Sequence, residues 1–343
     1  MIAFTLLCLN CWLIPVKFAF PFLDFFVRSR AKRLVVFLKS FRPDIIILQE
    51  VWSPANFITY IINFLCFGAI LGRSVVQREL EKRYAFITRP VGGKWWDLTR
   101  FLDSGLIIAT NYPVHYVDFA PHSGSIKDDR LANKGTLAAA MTIGKQPAIV
   151  VTTHLAATGP GTIRQAQLEH LLAFISVFRS NAELRTGLIF SKIILGGDFN
   201  INGFDKDSYV SLNRRLSELG LVDISRDANA EGIHEDVDLE RGEFPLYPSS
   251  DGCGDKLQRL DYLFAAGVSG TVTLTSGWKA PIDLVAKMHG KNLNELHIRR
   301  LRKRADNQRR REGITDHAGL LADLRFLDDD QAKTWKEELL SSS

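Results

Sequence analysis

Two rhythms of apolar and polar positions run along this chain. Short apolar runs close on a polar residue or a turn at 2–12, 44–50, 104–110, 136–143, 148–153, 192–198, 259–265, 271–274 and 318–324. Such runs predict strands, several of them buried on both faces. Between them, apolar residues recur every three or four positions, as in Leu34, Val35, Leu38 and Phe41, and again in Leu168, Leu171, Leu172, Ile175 and Phe178. These stripes predict helices at 30–41 and 162–178. Further helices are expected from Ser53-Pro54 onward, through Arg83, and from Asp207 to a stop at Gly220. The turn 144–147 joins two strands as a hairpin. Strands alternating with amphipathic helices, together with hairpins, imply an α/β sandwich with mixed sheets.

The polar residues that close the strands carry the chemistry. In K-I-I-L-G-G-D-F-N-I-N at 192–202, a strand period of two puts Asp198 and Asn200 on one side and Phe199 on the other. A carboxylate and an amide at the end of a buried strand need partners there. Other strand ends contribute Asn10, Glu50, His154, Asp261, Asp316 and His317. Each has an ordinary reading alone, as a turn former, a surface carboxylate or a core histidine. Eight at successive strand ends form a constellation of hard oxygen donors and imidazoles. That set suits Mg2+, with Mn2+ as the alternative, and general acid–base work. Metal-assisted phosphate-ester hydrolysis needs these parts.

Composition narrows the setting. The net charge is +5, yet the segment 287–311 holds ten Lys and Arg against Glu295 and Asp306, so the rest of the chain is net acidic. The basic segment suits an anionic partner, a lipid surface or a nucleic acid, or else a solvated charge run. Cys8, Cys11, Cys66 and Cys253 make no disulfide framework, which points to an intracellular, cytoplasmic chain. Cys8-x-x-Cys11 lies in a strand pattern that turns the two sulfurs to opposite faces, which argues against a metal or redox pair. The first twenty residues lack a basic start and a cleavage site, and the run 57–71 is short for a bilayer and holds Asn63, so neither a signal peptide nor a transmembrane helix is expected. Trp95-Trp96 beside Lys94 reads equally as core packing or as an interfacial anchor.

Asn10, Gln49-Glu50, Thr153-His154, G-D-F-N at 197–200, R-L-D-Y at 259–262 and T-D-H at 315–317 resemble the endonuclease/exonuclease/phosphatase superfamily in order and spacing. N-C-W at 10–12, Q-E-V at 49–51 and K-D-D-R-L-A-N-K-G at 127–135 are similar to neutral sphingomyelinases, above all those of the mammalian type-two kind. The resemblance implies a DNase I-like fold, a four-layered α/β sandwich with two mixed β-sheets. It would make 1–326 the catalytic domain, with a basic insertion at about 287–312 and a polar tail at 327–343. Glu50 and Asn10 would hold Mg2+. His317, oriented by Asp261 or Asp316, would activate water, Asp198 and Asn200 would position it, and His154 would assist the leaving oxygen, the two histidine roles being exchangeable. Asp129 and Lys134 stand where the type-two enzymes carry a regulatory pair; without the resemblance they read as a solvated loop pair. The implied substrate is a phospholipid, sphingomyelin or a relative, at a membrane surface, cleaved to ceramide and phosphocholine. The N-terminal membrane helices of the type-two kind and the C-terminal pair of the type-one kind have no counterpart here, so peripheral attachment is expected through other segments. Rival readings are a nuclease, served by the basic segment, an inositol-phosphate or lysophospholipid phosphoesterase, and a non-catalytic binding descendant.

Overall fold

The computed structural model describes residues 2–11, 13, 26–65, 72–226, 259–275, 317, 319–328, 331 and 334. The strands are β1 (Ala3–Asn10), β2 (Ile45–Gln49), β3 (Phe86–Ile87), β4 (Ile107–Thr110), β5 (Val114–Pro121), β6 (Gly135–Ile143), β7 (Gln146–His154), β8 (Lys192–Asp198), β9 (Val222–Asp223), β10 (Asp261–Ala266), β11 (Val268–Thr275) and β12 (Gly319–Phe326). They form two six-stranded sheets, ordered β11-β12-β1-β2-β4-β3 and β5-β6-β7-β8-β10-β9. Each sheet is mixed: β1 and β2 run parallel in the first, β7 and β8 in the second, and the remaining neighbours are antiparallel.

Alternation along each strand sorts side chains into layers. On β1, Leu6 and Cys8 enter the core between the sheets, while Leu7 and Leu9 face outward. The inner core joins them to Ile45, Ile47, Leu137, Val150, Ile194 and Leu263. On the outside of the first sheet, Leu7, Leu9, Ile46 and Leu48 meet Leu34 and Leu38 of α1 (Phe26–Ser40) and Val76 and Leu80 of α3 (Arg73–Leu80). On the outside of the second, Ile149, Val151, Ile193 and Leu195 meet Leu171 and Phe178 of α4 (Gly161–Thr186) and Leu212 and Leu216 of α5 (Lys206–Ser217). The result is the four-layered sandwich. Burying each such aliphatic side chain contributes about 1.5–3 kcal/mol. Cys8 and Cys11 lie on opposite faces of the first sheet, so the two sulfurs do not face a common site, and burial pushes both thiols well above their ordinary range.

Local differences have local causes. The helix expected at Ser53-Pro54 begins instead as α2 (Phe57–Leu65). Asn56 caps it, its Oδ1 accepting from Thr59 N at 2.9 Å, while Ser53 N donates to Asp103 and Pro54 bridges Leu102. The edge strand β5 escapes the pattern because neither of its faces is fully buried. No described helix is long and apolar enough to cross a membrane. The basic segment 287–311 and Asp316 lie outside the described residues.

Candidate active site

Parallel pairing inside each sheet brings the polar strand ends to one rim. Asn10 pairs with Gln49 across β1 and β2, and His154 pairs with Asp198 across β7 and β8. On antiparallel β10, Asp261 lies opposite Asp198. Glu50 follows β2 directly, and His317 lies just ahead of β12. Thus Asn10, Glu50 and His317 come from one sheet and His154, Asp198 and Asp261 from the other. All six are buried.

Asp198 Oδ2 is the hub where the sheets meet. Asn10 Nδ2 donates to it at 2.9 Å and to Glu50 Oε1 at 3.3 Å. Asn10 therefore bridges two carboxylates rather than serving Glu50 alone. His154 Nε2 lies 3.6 Å from Asp198 Oδ2 and 3.8 Å from Glu50 Oε1, and His317 Nε2 lies 3.9 Å from Asp198 Oδ2. His317 Nδ1 is 2.5 Å from Asp261 Oδ2, a contact that fixes the ring, while Asp316 lies outside the described residues. Asn200 does not share a strand face with Asp198. The strand ends at Asp198, and Asn200 turns into the left-handed region at φ 50°, its N donating to Asp198 Oδ1 and its Nδ2 to Leu155 O. Glu50 is left-handed too, at φ 58°. Such backbone is costly outside glycine and gathers at functional sites.

The glycines before Asp198 are dictated by closeness. A Cβ on Gly196 would sit 2.6 Å from Ile47 Cδ1 across the core, and one on Gly197 would sit 2.1 Å from Thr153 O. Gln49 links the sheets nearby, Nε2 donating to Thr152 Oγ1 at 2.8 Å. The R-L-D-Y motif is a clamp. Arg259 pairs with buried Asp223 at 2.6 Å and lies over the Tyr262 ring, whose hydroxyl donates to Ile201 O.

Charge decides what the site accepts. Burial, joined by Lys134, His317 and His122, drives His154 well below the usual imidazole range, so it is neutral at neutral pH. Glu50, Asp198, Asp261 and His317 stand around it. Ligand atoms of Glu50, His154 and Asp198 lie within 4.8 Å of one another, as do those of Asp198, Asp261 and His317. Crowded carboxylate oxygens facing imidazole nitrogen fit a divalent cation, with Glu50 and Asp198 as oxygen donors. His154 Nδ1 finds no hydrogen-bond partner among the described residues.

The pair Asp129–Lys134 is buried, not solvated. Lys134 Nζ lies 2.7 Å from Asp129 Oδ1 and donates to Leu155 O, the carbonyl that Asn200 also uses. Burial raises the Asp129 carboxyl, but Lys134 and two donors from Thr158 outweigh it and hold it below the usual range. Sequence reasoning missed His122, Trp52 and the buried Arg73–Asp103 pair. The Trp52 ring lies 6.2 Å from that of His154, and Arg73 reaches Asp103 Oδ2 at 3.4 Å beside Val51 O. None belongs to a spaced motif; only the fold makes them neighbours of the site.

Known proteins share this fold. Human sphingomyelin phosphodiesterase 3 is 25% identical over 180 residues, 48% of this chain and 27% of the relative, so the chain spans about a quarter of its length. The structure of sphingomyelinase C from Streptomyces griseocarneus aligns with a TM-score of 0.59 at 17% identity, covering 94% of this chain and 99% of the other. A Staphylococcus aureus beta toxin variant with bound magnesium ions aligns at TM-score 0.57 and 15% identity, over 95% and 100%. Truncated TDP2 from Caenorhabditis elegans aligns at 0.53 and 14%, over 94% and 98%. The endonuclease/exonuclease/phosphatase family pattern matches residues 8–317, from β1 to the histidine that meets Asp261, and the chain belongs to that family.

Proposed function

We propose that the chain is a Mg2+-dependent phosphodiesterase of the neutral sphingomyelinase type, splitting sphingomyelin or a related phosphosphingolipid into ceramide and a phosphorylated headgroup. The observation that carries the chemistry is the convergence of two carboxylates on Asn10 between two histidines, one neutral and one held by Asp261. The lipid assignment draws its support from the relatives named as sphingomyelinases.

In this reading Glu50, steadied by Asn10, would hold the cation, with Asp198 as a further oxygen donor and Mn2+ as the substitute. Once bound, the cation supplies charge neutralisation at the phosphoryl oxygens. His317 accepts a proton from the attacking water at Nε2, while Asp261 holds Nδ1 and stabilises the imidazolium that results. Asp198 lies near enough to both histidines to orient the water, and Asn200 fixes the loop carrying Asp198. His154 hydrogen-bonds to the departing ceramide oxygen as a neutral imidazole, since its burial disfavours the cation. Asp129 and Lys134 act as a regulatory pair through the Leu155 carbonyl. The substrate presents itself at a membrane surface, where 287–311 contacts anionic lipid.

The test is phosphocholine release from sphingomyelin in mixed micelles, with Mg2+ and with EDTA, beside a tube of supercoiled plasmid. Metal-dependent release with intact plasmid is expected. Nicked plasmid without phosphocholine would overturn the lipid reading and assign the basic segment to nucleic acid.

A further inference from the structure

The large apolar side chains that lie open to solvent are not scattered evenly. Phe57, Tyr60 and Ile61 of α2 and Trp95, Trp96, Leu98 and Phe101 of the loop between β3 and β4 are all exposed, Trp96 at 78% and Trp95 at 59%. The Trp95 ring centroid lies 5.8 Å from Tyr60 and 6.3 Å from Phe57, so the rings form one surface. Their support is fixed by hydrogen bonds. Phe57 N donates to Trp95 O, Ala55 N to Phe101 O, and Asn56 Nδ2 to both Asp97 O and Arg100 O. Exposure therefore belongs to a loop braced by these bonds, and an apolar surface of this kind marks an interaction site.

The surface adjoins the rim of the candidate active site. Phe57 follows Glu50 by one short loop. Phe101 N and Leu102 N donate to Leu131 O, and Asn133 N donates to Leu102 O and Asp103 O. Lys134 comes next, reaching Leu155 O beside Asp198 and Asn200.

We propose that Phe57, Tyr60, Trp95 and Trp96 are the landing surface for a zwitterionic phospholipid bilayer, seating the site mouth at the level of the headgroup phosphates. The proposal deepens the lipid reading above and rests on it. Three features favour a bilayer over a protein partner. Indole and phenol rings, apolar with one polar edge, settle at the bilayer–water boundary. Exposed Lys94 adjoins Trp95 in the chain and complements headgroup phosphates, while the carboxylate of Asp97 accepts from Thr99 N and Oγ1. Trp95 and Trp96 stand on an irregular loop with no strand edge to offer a peptide.

The experiment compares the full chain with Trp95→Ser/Trp96→Ser and with Tyr60→Ser on vesicles of phosphatidylcholine and sphingomyelin, without anionic lipid. Sedimentation reads binding, phosphocholine release reads turnover, and the Mg2+-induced rise in Tm checks that site and fold are intact. Withdrawing two indoles is expected to weaken vesicle binding by about tenfold or more and to lower turnover on vesicles in step. Turnover in detergent micelles and the Mg2+ response should stay at wild-type values. Quenching by brominated phosphatidylcholine should reach the wild-type indoles and fall in the double variant. Unchanged vesicle binding in the double variant, or no vesicle binding by the wild type, would overturn the proposal. Vesicle binding that depends on the rings, without phosphocholine release, would support the surface and sink the substrate assignment instead.

Discussion

Glu50 and Asn200 hold their side chains in place by backbone turns that only glycine adopts freely, at φ 58° and 50°. Conformations of this kind cost on the order of 1–3 kcal/mol each, which the surrounding core must offset. Glu50→Gln keeps shape and removes charge. It should lower turnover by roughly 10²–10³-fold and abolish the rise in Tm on adding Mg2+. His317→Ala should lower turnover by about 10²–10⁴-fold while leaving the Mg2+-induced rise in place. Calorimetry of both variants with and without Mg2+ separates the two roles, and full activity in either would sink the mechanism. Among these residues most of the candidate site was legible, because Asn10, Glu50, His154, Asp198, Asp261 and His317 each lie at or beside the end of a strand that the apolar pattern reveals. The roles of Asn10 and Asn200 were not legible. One depends on which carboxylates face each other across two sheets, the other on a turn that begins one residue earlier than a regular strand allows.

Between β2 and α2 the chain is held by a buried brace. Arg73 Nη1 reaches Asp103 Oδ2, Leu106 O and Val51 O, and Asp103 Oδ1 accepts from Ser53 N at 2.7 Å and from Gly105 N at 3.1 Å. This network sets the course of the segment that leaves Glu50. Breaking one partner strands the other charge inside, so Asp103→Ala should destabilise the fold by about 3–5 kcal/mol. Urea denaturation reads that loss, and a midpoint equal to the wild type's would remove the brace from the account. Strands and helices were legible wherever one period dominated, as in β8 and α4. The start of α2 was misread because Pro54 suits a first helical turn equally well, and Asn56 settles the start only through contacts far along the chain. Arg73 and Asp103 carry no periodic signal at all, since a buried ion pair depends on two distant segments meeting.

At the scale of the molecule, pH acts through groups kept neutral inside the sandwich. Burial, with His170 and Lys134 nearby, lowers His122 from 6.5 to about 3. The unfolded chain thus binds a proton that the folded one refuses. Stability is fully present above the unfolded value and is lost as pH falls toward the folded one. Between neutrality and pH 5 the wild type should lose about 2 kcal/mol more than His122→Gln. Parallel urea titrations check the sign, and equal losses would place His122 outside the pH response.

The division of the site between two sheets has a temporal meaning. Glu50 and Asn10 emerge early in synthesis, His154 and Asp198 midway, and His317 late, just ahead of a strand that must slide in beside β1 with Ala3 against Arg325. No half of the chain contains all six groups. Closure of the sandwich and assembly of the candidate site are therefore the same event.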